Sequence, residues 1–162
     1  MLEIVPIATH HVDAYHLAMD LVARENRYFG INQAPPMTDL KVYLEHAIAN
    51  DQPFFAATAQ AQVFGWCDIQ FRDFGNFRHV GMLSVGVLGP MRGRGVGRAL
   101  IKAAIEKGWS KGMERIELEV CSRNVPAIHL YRKIGFLVEG VKQRAYRATN
   151  GFDDMIVMAL LK

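Results

Sequence analysis

The stretch Leu83-Ser84-Val85-Gly86-Val87, running on into Arg92-Gly93-Arg94-Gly95-Val96-Gly97-Arg98-Ala99-Leu100, decides how this chain is read. An apolar run with strand character enters a turn with three glycines and three arginines, and a helical pattern leaves it. Gly93, Gly95 and Gly97 let the backbone come close to a ligand. The first turn of a helix from about Val96 leaves amides without intrahelical partners, and such amides bind phosphate readily. Arg92, Arg94 and Arg98 add guanidinium forks that pair with phosphate oxygens. A P-loop would need Lys-Ser or Lys-Thr after the glycines, and neither is present. The dinucleotide fingerprint G-x-G-x-x-G would misplace its last glycine at Gly97, and its strand would begin far later in the chain than that fold requires. A flexible arginine-glycine surface turn remains the plain alternative.

Composition sets the outer limits. A chain of 162 residues with 51% apolar side chains suits one domain, 1–162, with a sizeable core. No apolar run of about eighteen residues offers a membrane span, and no basic-then-apolar leader opens the chain. Cys67 and Cys121 form no C-x-x-C pair, as expected in a reducing compartment, so a cytoplasmic protein is expected. The formal charge of +3 is small, and its arginines cluster at the turn instead of forming the wide basic stripe of a nucleic-acid binder. The histidines and cysteines show no metal-ligand spacing, so no metal site is expected.

Outward from the turn, periodicity predicts alternating elements. Leu2 to Pro6 reads as a strand. A helix from Thr9 or His10 to Arg24 follows, with Val12, Tyr15, Met19 and Val22 on one face. Thr38 is expected to cap a second helix to about Asn50, leaving Glu25 to Met37 as a loop whose Tyr28 and Phe29 either pack or line a pocket. Phe54 to Thr58 and Val63 to Phe71 flank the polar turn Ala59-Gln60-Ala61-Gln62 as a hairpin. Strand Val80 to Leu88 leads to the glycine turn and a helix ending near Gly108. Arg115 to Val120, a short helix Ala127 to Ile134, a strand Phe136 to Gln143 and a strand Met155 to Leu160 complete the chain, with Asn150-Gly151 as a hairpin turn. The expected class is α/β (α+β), with a mixed, mostly antiparallel sheet of about seven strands and helices on both faces.

Arg92-x-x-Gly95-x-Gly97 between strand and helix resembles the acyl-CoA pyrophosphate loop, R-x-x-G-x-G, of the GCN5-related N-acetyltransferase (GNAT) family. A second motif, Asn124-x-x-Ala127-x-x-Leu130-Tyr131-x-x-x-Gly135-Phe136, resembles that family's asparagine and A-x-x-L-Y-x-x-x-G-F signature. The similarity is close over residues 80 to 140 and extends to the first seventy only in layout. It implies acetyl-CoA as cosubstrate, with the pyrophosphate on Arg92, Gly93, Arg94, Gly95, Val96, Gly97 and Arg98, the pantetheine arm on the backbone of Val85 and Val87, and Asn124 near that arm. Gly86 would permit a bulge or a close backbone approach there.

The reaction implied is transfer of acetyl to the primary amine of a small molecule or peptide. Tyr131 would be the general acid for the thiolate, although a packed aromatic is the simpler reading of that residue. Strand alternation puts Glu117 and Glu119 on one face, opposite Leu118 and Val120. Glu119 is the first candidate for the base, directly or through water, with Asp68 and His79 as alternatives. A polyamine acceptor would need acidic residues near the cleft, which Glu25, Asp68, Asp73, Glu119, Asp153 and Asp154 can supply. The resemblance admits a homodimer. The competing class is a non-catalytic acyl-CoA-binding or sensor module, which would bind the cofactor without turnover.

Overall fold

The apolar alternation of the β-rich runs produces one seven-stranded sheet, ordered β1-β2-β3-β4-β5-β7-β6, in a computed structural model that describes residues 1–162. In chain order the elements are β1 (Glu3–Pro6), α1 (Val12–Arg24), α2 (Met37–Ala49), β2 (Phe54–Ala59), β3 (Gln62–Phe71), β4 (Val80–Val87), α3 (Val96–Ser110), β5 (Arg115–Cys121), α4 (Val125–Ile134), β6 (Leu137–Ala148) and β7 (Gly151–Leu161). Neighbouring strands are antiparallel except β4 and β5. The expected mixed sheet is therefore observed.

Helices cover both faces because central strands such as β3 and β5 have buried residues on each face. On one, Tyr15, Ala18 and Val22 of α1 and Leu40 and Leu44 of α2 pack with Phe54, Ala56 and Trp66. On the other, Leu100, Ile101 and Ala104 of α3 and Ile128 and Tyr131 of α4 pack with Cys67, Ile69, Leu83, Ile116, Leu118 and Val120. The division follows strand alternation, since Trp66, Asp68 and Gln70 face α1 and α2 while Cys67 and Ile69 face α3.

Local chemistry moves several boundaries. Residues Thr9–His11 form a 3-10 turn instead of the first turn of α1, and the Ala8 amide donates to His11 Nδ1 at 3.0 Å. Pro36, not Thr38, occupies the N-cap of α2, and the Thr38 hydroxyl donates to Asp39 Oδ1 at 3.2 Å. The last hairpin is longer than expected, being paired down to Ala148 and Gly151. It absorbs irregularities in its register, at one of which Arg144 takes φ 53° and its amide donates to Asp154 Oδ1 at 2.8 Å.

Two features of β4 place the site. Its ladder with β5 has three rungs, Val80 with Arg115, Gly81 with Ile116 and Met82 with Glu117, and then ceases although both strands run on. The edges part beyond Met82. Gly86 makes no bulge, because β3 and β4 stay in register through Trp66 and Gly86. Instead it clears space for Trp66, whose ring carbon would lie 2.3 Å from a Cβ at that position. Gly86→Ala overpacks this contact and is expected to cost about 1–3 kcal/mol, a fall in Tm of roughly 2–12 °C. Thermal denaturation checks it; an unchanged Tm would mean that the indole is free to move.

Candidate active site

The turn after β4 is an anion cradle. A short 3-10 turn, Gly89–Met91, starts with Pro90 in its first turn, and Gly93 and Gly95 then adopt φ 72° and 81°. Only glycine takes that left-handed backbone without strain. The result is a run of inward-turned amides. Those of Gly93, Arg94 and Gly95 donate to no protein acceptor, and the first bond of α3 is Ala99 N to Gly95 O at 3.0 Å. Val96, Gly97 and Arg98 therefore present the unpaired amides of a helix N-terminus. Gly97 has an ordinary φ, and a Cβ there would lie 3.5 Å from Leu130, an ordinary contact, so its glycine serves backbone approach only. Arg94 and Arg98 are exposed and form no ion pair, whereas Arg92 is engaged.

Arg92 reaches back to Glu25 at the end of α1 with two bonds of 2.8 Å, and its Nε donates to the Val87 carbonyl at 2.8 Å. Such a fork-to-carboxylate pair is the strong form of ion pair. It clips the loop after α1 to the cradle.

Between β4 and β5 lies a wedge-shaped opening. The Leu88 amide donates to Phe64 of β3 at 2.9 Å, and polar groups of successive residues point to opposite strand edges, so Val85 and Val87 direct theirs away from β3 into the opening. Tyr131 lies on α4, in the core cluster that also holds Cys67 and Leu83. Asn124 caps that helix by accepting from the Ala127 amide at 3.4 Å, and Gly135 ends it at φ 119° with its amide on the Tyr131 and Arg132 carbonyls. Tyr131 is 8% exposed and its ring lies edge-on to Phe136 at 5.9 Å. Its hydroxyl has no protein partner, yet no enclosed polar atom goes unsatisfied, so the hydroxyl tip touches open space. Burial, and to a lesser degree the Cys67 thiol, push the phenol well above its ordinary value. The group stays protonated at neutral pH.

The two glutamates of β5 share the α1–α2 face, as alternation predicts. Glu117 is enclosed between Arg72 at 2.7 Å and Arg115 at 2.9 Å. Glu119, nearer the open end, pairs with Lys142 of β6, and its side chain remains 34% exposed. His79 lies before β4, at the end opposite the cradle, in a hollow with Glu114 and Lys162. The eight residues of β4 separate it from the turn, which removes it from the site.

Asp68 is better placed than its sequence position suggests. It lies 5% exposed at the floor of a cavity of about 360 Å³ between the sheet and α1–α2, whose wall also holds Tyr15, Tyr43, Trp66, Gln70 and Ser84. Tyr43 OH donates to its Oδ2 at 2.6 Å and Gln70 Nε2 at 3.3 Å. Burial raises its carboxyl above the usual carboxylate range. Phe29 packs edge-on against Trp66 at 5.8 Å, and its carbonyl accepts from Tyr146 of β6 at 3.3 Å, so this loop residue is part of the packing. The Tyr43–Asp68 and Glu25–Arg92 partners are 25 and 67 residues apart, beyond any local spacing rule. The one sequence signal was an aspartate inside the apolar run of β3.

Residues 18–136, which span the cradle, the opening and Tyr131, match the acetyltransferase (GNAT) family. The N-alpha-acetyltransferase of Sulfolobus acidocaldarius is 28% identical over 152 residues, 88% of this chain and 87% of that protein. Streptothricin acetyltransferase of Streptomyces lavendulae is 29% identical over 101 residues, covering 62% of this chain and 52% of its own length. The ribosomal protein bS18 alanine N-acetyltransferase of Escherichia coli K12 is 37% identical over 67 residues, 41% of this chain and 45% of its own. The matched region thus spans about half the length of these last two relatives. Among solved structures, an acetyltransferase from Streptococcus pneumoniae superposes with a TM-score of 0.93 at 24% identity and full coverage of both chains. The Salmonella typhimurium yncA structure, a putative acetyltransferase with its cofactor acetyl-CoA, superposes at 0.91 with 18% identity, covering 99% of this chain and 94% of that one. With the cradle, the parted strands and a family match over most of its length, this chain belongs to the GNAT acetyltransferase family.

Proposed function

We propose that this protein transfers an acetyl group from acetyl-CoA to a primary amine by direct attack. The observation that carries the reading is the continuity between the unpaired amides of the glycine turn and the opening between β4 and β5. Pyrophosphate rests on the amides of Gly93, Arg94, Gly95, Val96, Gly97 and Arg98, where the helix N-terminus and the free guanidiniums of Arg94 and Arg98 favour negative charge. Arg92 adds its charge to the turn while Glu25 and the Val87 carbonyl hold it in place. The pantetheine arm lies along Val85 and Val87, with Asn124 at the head of α4 on the opposite wall. The yncA structure with acetyl-CoA supports that cosubstrate.

In the transfer, the neutral amine nitrogen attacks the thioester carbonyl carbon, and the C–N bond forms as the C–S bond breaks. The leaving thiolate takes the Tyr131 proton. The proton shed by the amine passes through water to Glu119, whose Lys142 partner holds the carboxylate in place. Backbone amides of β4 stabilise the oxyanion. Placement contributes most of the acceleration.

Three measurements test this reading. Gly95→Asp puts an anion and a side chain at a left-handed position in the cradle. It should weaken acetyl-CoA binding at least about 100-fold, more than 2.7 kcal/mol, by calorimetry; near-normal affinity in a folded variant would remove the turn from the site. Tyr131→Phe keeps the ring and deletes the donor, so single-turnover transfer should slow about 100-fold or more with acetyl-CoA affinity little changed. A full rate would return Tyr131 to a packing role. Glu119→Gln should lower kcat/KM about 10-fold or more near neutral pH, and the deficit should shrink as pH rises towards the amine's own pKa, about 10. A loss that does not vary with pH would point to altered acceptor binding instead of proton removal.

A further inference from the structure

Six acidic residues have access to the cleft side of the molecule in sequence terms, and the fold disposes of five. Glu25 is taken by Arg92, Asp73 by Arg78 and Glu119 by Lys142. Asp153 accepts from Cys121 and Ser122 at 2.6 Å each, and Asp154 accepts from the Arg144 amide. Asp68 differs from all of them. Its donors, the Tyr43 hydroxyl and the Gln70 amide, are neutral, and no lysine, arginine or histidine lines its cavity. Both bonds fall on Oδ2. Oδ1 receives no donor from another residue, and the carboxylate lines the cavity.

A carboxylate this deeply buried is costly unless a cation completes it. The walls fit a cation as well. Tyr43 is half-buried and offers aromatic surface, and Asp39 stands at the wall nearer solvent. Ser84 ties this cavity to the reaction point: it is the β4 partner of Asp68, and it lies next to Val85 at the edge of the opening. From Asp68 to the opening is one to two strand spacings, about 5–10 Å. A short alkyl chain spans that distance.

We propose that Asp68 holds a second ammonium group of the acceptor, so that the preferred substrates are linear diamines or polyamines whose other amine reaches the opening between β4 and β5. The inference rests on the acetyl-transfer reading above and adds the substrate class. Asp68 is a specificity residue here, with Tyr43 and Gln70 orienting its carboxylate. An acceptor with a carboxylate in place of the second amine meets Asp68 and Asp39 with like charge and is rejected.

The test compares three acceptors of nearly equal length, cadaverine, pentylamine and aminocaproate, with the wild-type protein and acetyl-CoA. Cadaverine should exceed pentylamine in kcat/KM by about 10-fold or more, and aminocaproate by about 100-fold or more, steps of about 1.4 kcal/mol per tenfold, carried mainly by KM. Asp68→Asn should bring the cadaverine and pentylamine values within a few-fold of one another, again through KM, while Tyr43→Phe, which keeps the carboxylate, should retain most of the preference. Equal use of cadaverine and pentylamine by the wild type, or a preference that survives Asp68→Asn, overturns the proposal. If acetyl-CoA binds and no amine is acetylated, the transfer reading fails. Calorimetric titration of the coenzyme A complex with cadaverine and pentylamine then still decides the ammonium site, and it needs no variant to fold.

Discussion

The parting of β4 and β5 after three rungs is the constraint on which the rest depends. Each strand is held by its other neighbour, β4 by β3 and β5 by β7, so the sheet stays intact while one seam opens. Backbone groups along such a seam require partners from outside the ladder. The glycine turn lies at the end of the same strand, so one continuous surface offers peptide-like bonding along β4 and anion binding at its tip. α4 packs on the same face of the sheet as α3 and carries Tyr131 into the core.

Charge is divided across this seam. The cradle has helix amides and the unpaired Arg94 and Arg98, whereas the α1–α2 face carries Glu117, Glu119, Asp39 and Asp68. The carboxylates are not equivalent. Arginines on two sides neutralise Glu117 and make it part of the sheet, while Glu119 has a single exposed lysine and retains access to solvent. Asp68 has neutral donors, and burial raises its carboxyl pKa by disfavouring the ionised form, a cost that a cation beside it would offset.

Long-range clips keep these regions in register. Arg92 joins the end of α1 to the Val87 carbonyl, Tyr146 joins the last hairpin to the Phe29 carbonyl, and Asn26 donates to Thr149 Oγ1 at 3.3 Å. The loop between α1 and α2 is thereby held at both the cradle and the hairpin. These bonds join the loop to the strand that lines the seam and to the last hairpin.

The glycine turn, the capped helix with Tyr131 and the two-sided sheet were legible in the residues themselves, because they rest on local rules: left-handed φ at Gly93 and Gly95, Asn124 as a cap, and apolar alternation in β3 and β5. The phase of Glu117 and Glu119 was legible for the same reason. Their environments were not, since Arg72, Arg115 and Lys142 come from other strands. Thr38 looked like a cap and Gly86 like a bulge or a point of close backbone approach, but Pro36 took the cap and the Trp66 ring fills the space at Gly86. The cavity beside Asp68 and the clip from Glu25 to Arg92 arise from the packing of α1 and α2 on the sheet. Sequence by itself determined which backbone turns and strand faces could form; only the tertiary structure decided which charged groups found partners and which one, Asp68, was left facing a cavity without a cation.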